Sequence, residues 1–165
     1  MQLKTIKPDE AAAPEEATRT IAEQNEALDI VDKYIMGEPI EKTIMIKKVK
    51  VVLRAPSVGI VNGIYRDVAK AAQDSYVNMQ VESSASMISA YVREYNGKDF
   101  LAELGEEYDT TEGKKKIREH MDSVLIEPVR DALTERIFKF IDDVKKAFTD
   151  EALDFTSARP TDTQE

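Results

Sequence analysis

The residues in this chain that could do chemistry are carboxylates, one histidine, a run of serines and a run of lysines. Glu103, Glu106, Glu107 and Asp109 lie close together, and Asp142 is followed by Asp143. Paired carboxylates do acid–base work in glycoside hydrolases, and clustered carboxylate oxygens hold magnesium. Neither group stands in such a frame. Neighbours on a helix point about 100° apart, so Asp142 and Asp143 diverge, and both groups read as solvated faces. Ser83, Ser84 and Ser86 sit in the run Glu82-Ser83-Ser84-Ala85-Ser86. A nucleophilic serine needs a base beside it. The lone histidine, His120, lies between Glu119 and Met121 with no motif linking it to these serines. The serine run therefore reads as close helix packing or a solvated face, and His120 as an ordinary surface or boundary residue. Lys114-Lys115-Lys116 opens a helix, where cations oppose the macrodipole. It reads as a solvated run, with contact to an acidic partner as the alternative. Neither a Walker phosphate loop, a GxGxxG nor a GxSxG is present. The expectation is a protein that is not an enzyme, with no cofactor and no catalytic or metal-ligating residues.

Composition narrows the class further. The chain has 165 residues, 42% of them hydrophobic, which is enough for one modest core. A net charge of -9 argues against an electrostatic nucleic-acid partner. The absence of cysteine excludes disulfides and cysteine-based zinc sites, and fits a cytoplasmic setting. MQLKTIKPDE lacks the apolar run of a signal peptide. No apolar stretch approaches membrane-spanning length, so no membrane is expected.

The elements are organised around Ile44–Ala72. Val49, Val51 and Leu53 alternate with Lys48, Lys50 and Arg54, the period of a strand with one apolar face. Pro56 ends it. Ile44 and Ile46 have the opposite parity, so the β element at 43–54 is either one long strand, bulged at Lys47-Lys48, or a hairpin turning there. A tight turn at that point lacks Gly, Asn and Asp, which favours the single strand. Ile60, Val61, Ile64, Tyr65, Val68, Ala71 and Ala72 then recur at three and four, with Ser57 as N-cap. Gly59 and Gly63 lie four apart near the start of this helix; close packing of its first turns is the expected reason, with a frayed, mobile start as the alternative. Val81, Ala85, Ile88, Val92 and Tyr95 continue the helical pattern, with a break around Asp74–Asn78 and an end at Asn96-Gly97. Ile117, Met121, Val124 and Leu125 mark the inner side of another helix. Val129, Leu133, Ile137, Phe140, Ile141, Val144 and Phe148 form the longest stripe.

Upstream, 1–13 reads as a flexible arm and 14–37 as a helix whose sparse stripe, Ile21, Leu28, Val31 and Ile35, implies docking along a single seam or only part-time docking. The main domain spans 40–155, and 156–165 reads as a disordered tail. The fold class predicted is mainly α, with one short N-terminal β element packed on the helices. Phe138 lies off the centre of the last stripe, and Phe148 and Phe155 lie where it runs out toward the tail. These three are the candidate partner-binding or self-association residues.

The strand VKVVLRAPS, the segment SAYVREYNGKDF and the late helix PVRDALTERIFKFIDDVKKAF together resemble the tail assembly chaperones of long-tailed bacteriophages. The likeness covers roughly residues 40–155; the helix at 14–37 is an addition to it. The resemblance implies a protein of the host cytoplasm that binds the tape-measure protein and keeps it soluble while the tail tube assembles. The rival expectation is a structural virion subunit, a baseplate, neck or tail-completion protein, and a regulatory or inhibitory adaptor is a third.

Overall fold

A computed structural model describes residues 21–149. The expected arm at 1–13, the first turns of the helix at 14–37, Phe155 and the tail at 156–165 lie outside the described residues. The described chain is mainly helical, with a small antiparallel sheet, as the sequence predicts.

After helix α1 (Ile21–Met36), strands β1 (Glu41–Ile46) and β2 (Val49–Arg54) form a hairpin, not a single strand. Ile46 pairs with Val49, so Lys47 and Lys48 are the whole turn. Lys47 takes φ 55, a left-handed value that glycine or asparagine adopts more readily. Pairing and burial of the flanking strands outweigh that local cost: Val51, Val52 and Leu53 are all buried, as is Ile46. The opposed parity of Ile44 and Ile46 is the trace of this turn.

Helices α2 (Val58–Asp74) and α3 (Tyr76–Tyr91) form an antiparallel pair. Ser75 breaks them apart and caps α3, its side chain accepting from the Asn78 amide. Ser57 stands at the N-cap of α2 without a side-chain bond. α3 ends at Tyr91, sooner than the sequence pattern suggests. Val92–Tyr95 is strand β3, and Lys98–Asp99 is the short β4. Asn96-Gly97 is therefore a hairpin turn, not a helix cap: φ is 50 and 85, both left-handed, as a type I′ turn requires. Sheet order is β1-β2-β3-β4, with one extra residue, Arg93, bulged out of β3 between the partners of Val52 and Leu53.

Asp99 ends β4 and caps the short helix α4 (Phe100–Leu104), accepting from the amides of Leu101 and Ala102. A 3₁₀ turn, Gly105–Asp109, leads into α5 (Thr111–Val124) and then α6 (Glu127–Thr149). The core gathers Val51 and Leu53 from the sheet, Ile88 and Tyr91 from α3, and Ile117 and Met121 from α5. From α6 it takes Leu133, Ile137 and Phe140. Phe140 is 2% exposed, with Tyr91 edge-on to its ring at 6.3 Å.

The stripe on α6 serves two partners in turn. Its first half fills this core. Its second half receives α1, whose Ala27, Ile30 and Val31 close on Ala147, flanked by Val144 and Phe148. The inner face of α1 is thus Ala27–Ile30–Val31; Leu28 and Ile35, assigned inward by the sequence pattern, are exposed. Lys42 of β1 pins the seam, bonding Glu26 of α1 and, at 2.9 Å, Asp143 of α6.

One more contact fixes the middle of the chain. A Cβ on Gly113 would lie 2.0 Å from the carbonyl oxygen of Glu107, backbone that cannot step aside. Two substitutions of opposite sign follow. Lys47→Gly relieves the left-handed turn and should raise stability by about 0.5–1 kcal/mol. Gly113→Ala should lower it by about 1–3 kcal/mol through overpacking. Urea denaturation of each variant measures both signs.

Candidate protein-binding surface

Of the candidate carboxylates, Glu103, Glu107, Asp109, Asp142 and Asp143 stand in ion pairs, as does Lys116 of the lysine run. Glu103 meets Lys98, Glu107 meets Lys116, Asp142 meets Lys146 and Asp143 meets Lys42. His120 packs edge-on against Phe100 at 5.4 Å; burial, then the Lys98 charge, pull its pKa down. Among the described residues, no three acid or histidine side chains gather into a metal site. No helix there is long and apolar enough to cross a membrane.

The lysine run behaves differently from its expected role as a solvated segment. Lys115 and Lys116 are exposed, but Lys114 is only 7% exposed. Its position explains this: Lys114, Ile117 and Met121 share one helical face at spacings of three and four, and that face is the inner one. The Lys114 ammonium lies 3.4 Å from the centroid of the Tyr108 ring and 3.6 Å from Asp109 Oδ1, with no hydrogen-bond partner. Arg54 stands 5.6 Å from the same ring centroid and 3.6 Å from Asp109 Oδ2. Tyr108 itself is buried and donates to the Val92 carbonyl at 3.3 Å. Burial pulls Lys114 down to about 8, with the Asp109 carboxylate opposing and the Arg54 charge assisting.

The serine run resolves into close packing. Ser86 and Ser89 are buried on α3. Ser86 donates to Glu82 Oε1 at 2.8 Å, and Arg118 of α5 grips both oxygens of Glu82 at 2.6 and 2.9 Å. The guanidinium bonds hold the Glu82 carboxyl below its usual range. This bidentate pair ties α3 to α5.

Above that tie, α2, α3 and α5 leave an open groove of about 250 Å³. Ile60, Ile64 and Ala90 give it apolar walls, and Arg66, Asp67 and Lys115 stand along it. Gly59 and Gly63 also line it. Close packing does not account for them: a Cβ on Gly63 would meet nothing within 4 Å, and one on Gly59 only Ser57 Oγ at 3.9 Å. The sequence placed the glycines correctly in a helix but could not show that the space beside them is empty.

The remaining surface carries large apolar side chains. Val58 and Tyr65, seven apart, share one side of α2, and Tyr76, Val77 and Val81 line the start of α3. All five are half exposed or more. Two of the three phenylalanines singled out from sequence, Phe138 and Phe148, lie among the described residues. Phe138 is 53% exposed on α6. Phe148 is partly covered by Tyr34 of α1, ring centroids 5.1 Å apart. Phe155 lies outside the described residues. The exposed set on α2 and α3 was hidden in the sequence because Tyr65 and Val81 fit the inward stripes by spacing alone.

No protein-family model, no curated protein and no solved structure matches this chain.

Lys114 generates a pH test. Its folded pKa lies below its ordinary value of 10.5, so between about 8 and 10.5 the unfolded chain binds more protons, and stability from this group rises with pH. Lys114→Met should remove that rise while keeping the volume. Chemical denaturation at pH 8 and at pH 9.5 compares the two slopes. A wild-type slope no steeper than that of the variant rules out a depressed lysine.

Proposed function

We propose that the protein is an assembly chaperone of the phage-tail type, one that binds a long helical tail protein, the tape measure, through exposed apolar surface. The observation that carries this reading is the apolar set Val58, Tyr65, Tyr76, Val77 and Val81, displayed on the α2–α3 pair of a chain of net charge -9. Large apolar side chains left in water are where a protein partner gains burial. Strong like charge keeps a protein with such a surface from associating with itself. A helical client lays its apolar face into surface of this kind. The resemblance of residues 40–155 to tail assembly chaperones supplies the class of client.

Coexpression with the candidate tape-measure protein tests it. The wild-type chain should move the client into the soluble fraction, and the double variant Tyr65→Asp with Val77→Asp should fail to do so. Both positions are at least 65% exposed, so the variant should melt close to wild type. Finished particles should lack the chain. Stoichiometric recovery of the chain in purified particles would replace this reading with that of a structural virion subunit.

A further inference from the structure

We infer that the groove between α2, α3 and α5 is an anchor slot for a protein segment that carries a large apolar side chain beside carboxylates. The inference rests on the reading of the chain as a protein-binding module and specifies what that module takes.

The first observation is energetic. A helix-interior glycine costs about 1 kcal/mol against alanine. Gly59 and Gly63 have helical backbone, so no left-handed turn requires them, and no neighbouring atom crowds the place of a side chain at Gly63. What the two glycines provide is room: they hold the α2 wall back and let an incoming group approach the backbone. Size is the second observation. About 250 Å³ falls below the roughly 300–1,000 Å³ of small-molecule and cofactor sites, and suits one or two side chains.

Charge identifies the occupant. In an acidic chain, the groove is edged by Arg66, Lys114, Lys115 and Arg118 against the single acid Asp67. Arg118 is committed to Glu82, and Lys114 lies against Asp109 and Tyr108. Arg66 and Lys115 are exposed and have no ion pair among the described residues. An apolar slot between two unpaired cations accepts an apolar anchor with carboxylates on either side and disfavours a basic segment.

The test titrates the 15N-labelled full chain with a capped helical peptide of Leu, Ala and Glu, and with its Lys-for-Glu counterpart, at physiological salt. The acidic peptide should shift the amides of Gly59, Gly63, Ser89 and Thr111, and the basic one should not. Gly63→Leu should fill the slot and weaken binding about tenfold or more without lowering the melting temperature. Arg66→Glu with Lys115→Glu, both on the surface, should weaken it as much. Absence of shifts at millimolar acidic peptide overturns the proposal, as does equal binding of the basic peptide. So does a wild-type dimer that Gly63→Leu converts to monomer, because the occupant is then a second copy. If the client stays soluble with the groove variants but not with Tyr65→Asp and Val77→Asp, the slot falls and the chaperone reading stands.

Discussion

The fold depends on the Tyr108 ring, buried with cations against it. Arg54 approaches from β2 and Lys114 from α5, while the tyrosine hydroxyl reaches the β3 backbone. One side chain from a 3₁₀ turn thereby fastens the sheet to the helical layer. Asp109 stands next to the ring and faces both cations, so positive charge brought to the ring does not go uncompensated. The chain of charges continues outward: Arg54 lies 3.9 Å from Glu41, and Arg93 bonds both Glu41 and Asp99. The bulge in β3 is what places Arg93 between those carboxylates. Asp99 in turn caps α4, which leads back to Tyr108. Gly113 completes the arrangement, since no other residue lets α5 pass so close to the Glu107 carbonyl.

Such a ring of partners also explains the burial of a lysine with a lowered pKa. An ammonium stripped of water is costly, and an aromatic face with a carboxylate at 3.6 Å repays only part of the loss. The site favours the neutral form more than water does, and the cost is tolerated because the surrounding packing over-determines the position.

The sequence made the helical layer legible because its signals are periodic and long. Leu133, Ile137 and Phe140 repeat over more than two turns, and all three lie in the core. The break near Ser75 was visible as a cluster of polar and β-branched residues. The sheet was harder. Its first turn is two lysines, and a turn without Gly, Asn or Asp carries no local mark. The second turn, Asn96-Gly97, carries the strongest mark there is for a hairpin, yet the helical spacing of Ile88, Val92 and Tyr95 masked it. Only a strand edge on β2, distant in sequence, decides between the two uses of Val92–Tyr95. The groove was illegible for a related reason. Glycine in a helix looks the same whether a neighbour presses on it or nothing does, and Arg66 and Lys115 look like any exposed cations until their surroundings are known.

The seam between α1 and α6 bears on the order in which the chain can fold. Most elements find their partners nearby: β1 with β2, α2 with α3, β3 with β4. Helix α1 reaches farthest along the chain, because the residues that cover Ala27, Ile30 and Val31 lie on the last described helix. The Lys42–Asp143 bond closes a span of 101 residues. Closing a loop costs entropy that grows only slowly with its length, so the seam is thermodynamically affordable, but it cannot form until α6 has left the ribosome. At a usual synthesis rate of about 5–20 residues per second, α1 waits several seconds as an unpaired amphipathic segment while the sheet and the α2–α3 pair assemble behind it. The first described helix is fastened late, and it is the natural place for the finished domain to open first.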